Sequence, residues 1–196
     1  MFPLNLPNLL TLLRILLVPV LVVALTVEMD NGPAIAAVVF VLAGLTDGLD
    51  GYIARSRQSV TNFGKVMDPV ADKLLIAAAL MALVSLDRVA AWVAMVIVAR
   101  EFAVSGLRIA AGQQGVVIPA SALGKLKTTV QSAAVLALIA APDDEAVWVM
   151  VLVYAMVLVT LASGADYFLN FRRRIDELSR QAGTGSPRRP EAPPTG

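Results

Sequence analysis

Residues 47–72 read DGLDGYIARSRQSVTNFGKVMDPVAD, and this stretch places four aspartates in a chain that is 58% hydrophobic. A carboxylate near the centre of a membrane helix costs about 2.5–3.5 kcal/mol, so a cluster of them beside apolar segments indicates a function. If the segment is helical, Asp47 and Asp50 share one face, because residues three or four positions apart lie on the same side of a helix. Asp68 and Asp72 can likewise face one way from a second helix. Two helices could therefore present four carboxylates to a shared point.

The composition indicates an integral membrane protein. Only 16% of the 196 residues are charged, whereas about a quarter are charged in a typical soluble domain. The first apolar run has no basic segment before it and contains Arg14 and Pro19, so we expect a retained membrane helix rather than a cleaved signal peptide. The chain has a net charge of +1 and no basic–aromatic module, and we therefore expect no nucleic-acid partner.

The fold class that the apolar pattern predicts is an all-α membrane protein with six transmembrane helices. A span needs roughly 20 apolar residues, and the apolar stretches cover 9–28, 33–53, 69–86, 89–109, 125–141 and 146–169. Basic residues concentrate in the second and fourth breaks and after the last stretch. The positive-inside rule therefore places both termini and the aspartates at the cytoplasmic face of the cell membrane. We expect one membrane domain over 1–175 and a polar, disordered tail over 176–196.

The aspartates are also the most suitable metal ligands in the chain. Cysteine and histidine are both absent, which excludes disulfides, thiolate sites and imidazole ligands. Carboxylate oxygens suit a hard cation such as Mg²⁺ or Mn²⁺, which often binds phosphate oxygens at the same time. Two such ions could polarise a diphosphate while one carboxylate removes a proton from an attacking hydroxyl. Gly51 and Ala54 would let a bulky ligand approach the backbone, and Arg55 could pair with a phosphate.

Each of these residues also has a simpler structural explanation. Asp68 followed by Pro69 is typical of a helix N-cap with proline at the first helical position, and taken alone the pair favours capping. Arg55 could simply mark the cytoplasmic side, and Gly51 with Ala54 could form a contact between helices. None of these explanations accounts for the complete spacing.

The complete spacing resembles that of a known family. The pattern Asp47-x2-Asp50-Gly51-x2-Ala54-Arg55-x8-Gly64-x3-Asp68-x3-Asp72 is similar to the signature of the CDP-alcohol phosphotransferases. The resemblance implies a six-helix membrane enzyme, usually a homodimer, with a metal-dependent site open to the cytoplasm. By the same resemblance, Asp72 is the base that activates the acceptor hydroxyl. The implied metal ligands are Asp47, Asp50, Asp68 and Asp72, and the implied CDP site comprises Asp47, Asp50, Gly51, Ala54, Arg55 and Gly64.

Four further stretches resemble the bacterial phosphatidylglycerophosphate synthases of the same family. They are NLPNLLTLLR at 5–14, DPVADK at 68–73, ARE at 99–101 and GKLKTTVQ at 124–131. The resemblance covers roughly residues 4 to 170. It implies that a phosphatidyl group passes from CDP-diacylglycerol, a membrane lipid, to sn-glycerol 3-phosphate with release of CMP.

A phosphorylated acceptor would need cationic partners near the cytoplasmic face. Lys125 and Lys127 are two residues apart, so on a helix at most one of them should reach a given phosphate. Any single basic residue could instead serve only to set the topology, and Arg100 beside Glu101 could form a structural ion pair. The candidate residues for the acceptor phosphate are Arg100, Arg108, Lys125, Thr11 and Arg14.

Two alternatives to this function stay open at the level of the sequence. Within the family, the acceptor could be inositol phosphate, or phosphatidylglycerol in a cardiolipin synthase. From a different class, the chain could be a divalent-cation transporter whose carboxylates line a pathway. A transporter should carry polar residues deep in several spans, whereas the acidic residues here gather at one face.

Overall fold

The computed structural model describes residues 6–57, 62–113, 121–142 and 146–184. Within these ranges, some residues are described by their backbone alone, namely 6–8, 47–57, 62–66, 68, 69, 178, 179 and 181–184. Over the described residues the chain forms six α-helices and no strand, which confirms the all-α prediction. Each of the six predicted apolar stretches corresponds to one helix. The helices are α1 (Leu6–Thr26), α2 (Gly32–Arg57), α3 (Asn62–Ser85), α4 (Ala91–Gln113), α5 (Ala122–Ala140) and α6 (Val147–Thr184).

The start of α3 differs from the sequence-based interpretation. The helix begins at Asn62, well before Asp68, so the aspartate lies inside the helix and the N-cap hypothesis for Asp68 and Pro69 is wrong. The physical reason is that an apolar pattern locates only the part of a helix that is packed or in lipid, and α3 continues beyond that part through polar residues. Similarly, α2 continues to Arg57 and includes Arg55.

The last helix also extends further than its apolar stretch. Helix α6 ends at Thr184, so residues 176–184 are helical although the sequence assigned them to a disordered tail. Arg174 and Glu177 stand one turn apart with 3.8 Å between Nη1 and Oε2, a pairing that supports a solvated helix. Residues 185–196 lie outside the described residues.

Small residues allow the helices to pack closely. Helix α1 packs against α2 and α3, and α6 packs against α4 and α5. Ala36, Ala43, Ala79 and Ala134 are fully buried in this core, and small side chains let helix backbones approach one another. At the start of α2, a Cβ on Gly32 would lie only 2.7 Å from the carbonyl oxygen of Ala24. This glycine therefore permits the tight contact between α1 and α2.

The outside of the bundle is apolar. Large side chains such as Leu16, Met95 and Leu158 are more than half exposed. By length and composition, two described helices could cross a bilayer, over Leu9–Thr26 and Val147–Glu177. An exposed apolar surface of this kind fits a membrane protein.

The turn between α3 and α4 is closed by its backbone and by one arginine. Asp87 has a φ of 57°, its N–H donates to Val84 O, and the next N–H donates to Leu83 O; this is the Schellman arrangement at a helix C-terminus. The guanidinium of Arg88 donates to the carbonyl oxygens of Ile139 and Ala141. The side chain thus satisfies carbonyls at the end of α5 that have no partner within that helix.

Candidate active site

A cavity of about 320 Å³ opens between α3, α4, α5 and α6. Its described walls carry more positive than negative charge, which favours an anionic ligand. The cations on these walls are Lys73, Arg100, Arg108, Lys125 and Lys127, and the carboxylates are Asp72 and Glu101. The helix order explains the convergence, because the start of α3, the end of α4, the start of α5 and the later part of α6 lie at the same end of an up-and-down bundle.

Asp72 is the predicted aspartate whose side chain the structure describes. It is half-buried on α3 and lines the cavity. It also lines a second, smaller cavity of about 20 Å³ together with Glu101, Lys127 and the buried Gln131. The proposed base and three of the predicted acceptor cations, Arg100, Arg108 and Lys125, therefore share one cavity.

The remaining predicted metal and CDP residues are located by the backbone alone. Asp47, Asp50, Gly51, Ala54 and Arg55 lie in α2, so the helix that the spacing requires is present, and the first four of these positions share one face. Gly64 and Asp68 lie in α3, and α2 packs against α3. The side chains of these seven residues lie outside the described residues.

Glu101 joins two of the cavity cations. Its Oε1 accepts from Arg100 Nη1 at 3.2 Å and from Lys127 Nζ at 2.6 Å. The other terminal guanidinium nitrogen of Arg100, Nη2, donates to Ser163 Oγ at 3.0 Å. The network therefore links α4, α5 and α6. The expected structural pair between Arg100 and Glu101 is present, and Lys127 joins it.

Two other cations are more accessible. Arg108 is exposed, and its Cζ lies 5.8 Å from the centre of the Tyr167 ring, within the range of a cation–π contact. Lys125 is exposed on the first turn of α5. Within the described ranges, neither side chain makes a hydrogen bond or an ion pair. Lys125 and Lys127 both line the cavity although they are two residues apart on α5, and Lys127 donates to Glu101. The expectation that at most one of them reaches a phosphate stays a prediction.

Thr11 and Arg14 do not line this cavity. Both are buried in α1, and Arg14 Nε donates to the carbonyl oxygen of Ala43 in α2 at 3.3 Å. Their surroundings differ from those of the other acceptor candidates because α1 packs against α2 and α3, whereas the cavity is built by α3 to α6. The structure therefore does not bring these two residues together with Arg100, Arg108 and Lys125.

Sequence reasoning missed the contribution of α6 to the cavity. Ser163 and Tyr167 line it although both lie in the longest apolar stretch. A signal was available, because Ser163 and Asp166 interrupt that stretch with polar side chains, and a charged side chain is costly in a lipid-facing helix.

The chemistry of the donor set fits the metal that the sequence predicts. The aspartates of α2 and α3 supply only oxygen ligands, and these suit Mg²⁺ or Mn²⁺. Among the side chains that the structure describes, no three acidic groups come together, and three of the four aspartates are outside that set. The fit therefore depends on ligand type and on the packing of two helices that each carry a pair of aspartates.

Comparison with known proteins identifies the family of this chain. Residues 4–162 match the CDP-alcohol phosphatidyltransferase family, and the chain belongs to this family. Enzymes of the family generally use divalent metal ions.

Relatives from several bacteria are similar over most of their length. A CDP-diacylglycerol–glycerol-3-phosphate 3-phosphatidyltransferase of Bacillus subtilis is 41% identical, with 84% of this chain and 93% of the relative covered. A protein of the same description from Rickettsia felis is 40% identical over the same shares. A probable phosphatidylglycerophosphate synthase of Mycobacterium tuberculosis is 40% identical, with 91% of this chain and 87% of the relative covered.

Proposed function

We propose that this enzyme transfers the phosphatidyl group of CDP-diacylglycerol to sn-glycerol 3-phosphate, giving phosphatidylglycerophosphate and CMP in phospholipid biosynthesis. The observation that carries the proposal is the single cavity that Asp72 and several cations line from α3, α4 and α5. A site for a phosphorylated alcohol needs both a carboxylate and cations, because the carboxylate accepts the hydroxyl proton while the cations bind the phosphate. The descriptions of the relatives from Bacillus subtilis and Rickettsia felis name the same substrates.

In this proposal the aspartates of α2 and α3 form the metal site. Asp47, Asp50, Asp68 and Asp72 would hold two divalent ions, Mg²⁺ or Mn²⁺, because all four offer oxygen ligands from two packed helices. When bound, such ions polarise a diphosphate and stabilise the CMP leaving group.

The cytidine diphosphate would bind along α2 and the start of α3. Gly51, Ala54 and Gly64 have little or no side chain, so the backbone can approach the ligand closely. Arg55 would pair with a phosphate of CDP. Asp47 and Asp50 would face the same group because they share the helix face of Gly51 and Ala54.

The acceptor would lie across the large cavity. Arg108 and Lys125, the accessible cations, bind its phosphate, and Asp72 accepts the proton of its 1-hydroxyl. The deprotonated oxygen then attacks the β-phosphorus of CDP-diacylglycerol. A new bond forms between this oxygen and the phosphorus, and the bond from the phosphorus to the CMP oxygen breaks.

The arrangement in the membrane is part of the same proposal. All six helices span the cell membrane, both termini are cytoplasmic, and the cavity opens to the cytoplasm, where glycerol 3-phosphate is dissolved. The basic residues at this end of the bundle support that orientation. CDP-diacylglycerol enters from the surrounding lipid, and the enzyme is a homodimer.

The test is a competition between acceptors. Purified enzyme receives CDP-diacylglycerol with equal concentrations of glycerol 3-phosphate, inositol phosphate, phosphatidylglycerol and unphosphorylated glycerol, and lipid mass spectrometry identifies the products. We expect phosphatidylglycerophosphate as the main product with one CMP released per lipid formed. A dominant product from inositol phosphate or phosphatidylglycerol would overturn the acceptor assignment. Metal uptake into proteoliposomes without CMP release would favour a transporter instead.

A further inference from the structure

Glu101 places a negative charge in the cavity that the proposed acceptor would occupy. Its carboxylate lines the same cavity as Arg108 and Lys125, and a carboxylate repels a dianionic phosphate. The side chain is also mostly buried, with 14% of it exposed. The proposed mechanism gives Glu101 no direct role, so its position needs another explanation.

The pair formed by Glu101 and Lys127 lies towards Asp72. Both side chains line the smaller cavity that Asp72 also lines, whereas Arg108 and Lys125 line only the larger cavity. An acceptor bound for reaction must have its hydroxyl at Asp72 and its phosphate further out. A cation without a partner beside Asp72 would attract the phosphate to the wrong end.

Lys127 depends on Glu101 more than Arg100 does. Arg100 also donates to Ser163 Oγ at 3.0 Å, and Ser163 in turn donates to the carbonyl oxygen of Thr160 at 3.0 Å. Lys127 has Glu101 as its one partner in the part of the chain that the structure describes. Loss of the carboxylate would therefore release mainly the Lys127 ammonium.

We infer that Glu101 is a positioning residue that neutralises Lys127 and thereby keeps the acceptor phosphate at Arg108 and Lys125, away from Asp72. The inference rests on the proposed function. Its physical basis is discrimination by repulsion, because the carboxylate disfavours the reversed binding mode more than the productive one. Glu101 contributes to orientation and does not itself contact the reacting atoms.

The test compares two variants that break the same ion pair from opposite sides. In Glu101→Gln the released Lys127 attracts the phosphate into the reversed mode. Non-productive binding competes with productive binding, so kcat and KM for glycerol 3-phosphate should both fall by the same factor, about fivefold to tenfold. Titration calorimetry should show correspondingly tighter binding of inorganic phosphate.

In Lys127→Gln the carboxylate loses a neutralising partner, so the cavity becomes more repulsive to anions. KM for glycerol 3-phosphate should rise by about threefold to tenfold, and inorganic phosphate should bind more weakly. The two variants thus shift KM in opposite directions. A pair with a purely structural role would give shifts in the same direction, because both variants remove the same contact.

Glu177→Gln is the matched control, since it removes an exposed carboxylate on α6 that pairs with Arg174 and does not line the cavity. KM should stay at the wild-type value in this variant. KM shifts of the same sign in the two cavity variants would overturn the inference. If Glu101→Gln does not fold, Lys127→Gln decides alone, and a KM that is unchanged or lower refutes the inference. Failure of the wild-type enzyme to use glycerol 3-phosphate would instead refute the proposed function.

Discussion

Helices α3 and α4 carry charged side chains at both of their ends, and the two ends use charge differently. At the α3–α4 turn, the guanidinium of Arg88 donates to the carbonyl oxygens of Ile139 and Ala141. At the opposite end, Arg108 is exposed to the cavity and contacts the face of Tyr167. A guanidinium that is occupied by backbone carbonyls stabilises the fold, whereas one that faces a cavity can bind a ligand. The hydrogen-bond partners of a charge therefore say more about its role than its residue type does.

The same substitution at each end should separate catalysis from structure most clearly. We expect Asp72→Asn to lower kcat by about 10²-fold to 10⁴-fold, because the variant lacks the carboxylate that we propose as the base for the hydroxyl proton. Asp87→Asn is the matched control at the far turn, where asparagine tolerates the positive φ of 57°. It should keep kcat near the wild-type value. The rate of CMP release gives kcat for both variants. Substantial activity in Asp72→Asn, at a normal yield of folded protein, would refute the assignment of Asp72 as the base.

Replacement of the accessible cavity arginine should affect acceptor binding. Arg108→Met removes a charged donor to phosphate, worth about 1.5–3 kcal/mol, which corresponds to a rise of roughly 10-fold to 150-fold in KM for glycerol 3-phosphate. KM for CDP-diacylglycerol should change little because the site that we propose for it lies along α2. Initial rates at varied concentrations of each substrate distinguish the two. An equal rise in both KM values would show that Arg108 supports the whole site and does not bind the acceptor specifically.

The arginine at the turn should show the opposite pattern. In Arg88→Met, the carbonyl oxygens of Ile139 and Ala141 lose their side-chain donor, and we expect the free energy of unfolding to fall by about 1–3 kcal/mol. KM for the acceptor should remain at its wild-type value. Thermal unfolding in detergent together with the kinetic assay checks both parts. A rise in KM without loss of stability would contradict the distinction between the two ends.

The positions of the helices could be predicted from the sequence better than their ends. Apolar stretches located six helices because turn residues and charges interrupt the hydrophobic pattern. They did not locate the start of α3 at Asn62 or the end of α6 at Thr184, since these parts of the helices are polar and have no apolar period. Alternation of helix direction brought Arg108 and Lys125 to the end that carries Asp72.

Contacts across helices were harder to foresee. The bond from Lys127 to Glu101 depends on the rotation of α5 relative to α4, which sequence spacing does not determine. The hydrogen bond from Arg100 to Ser163 likewise depends on how α6 faces α4. Arg14 is a further example, because the sequence suggested a phosphate ligand, whereas its Nε donates to the carbonyl oxygen of Ala43 in the contact between α1 and α2. Its role towards the acceptor phosphate stays a prediction.

The smallest expected effect concerns the packing of Arg100 against Gly164 of α6. A Cβ on Gly164 would lie 3.3 Å from Arg100 Cγ, whereas a Cβ on Gly44 would meet nothing within 4 Å. In Gly164→Ala the flexible stem of Arg100 must shift by a few tenths of an ångström, so we expect about a twofold change in KM for the acceptor, equivalent to roughly 0.4 kcal/mol. Gly44→Ala should leave KM unchanged and raise the free energy of unfolding by about 0.5–1 kcal/mol, because alanine favours a helix more than glycine does. If both variants leave KM unchanged, Arg100 has room to adjust, and its position depends on Glu101 and Ser163 rather than on close packing against α6.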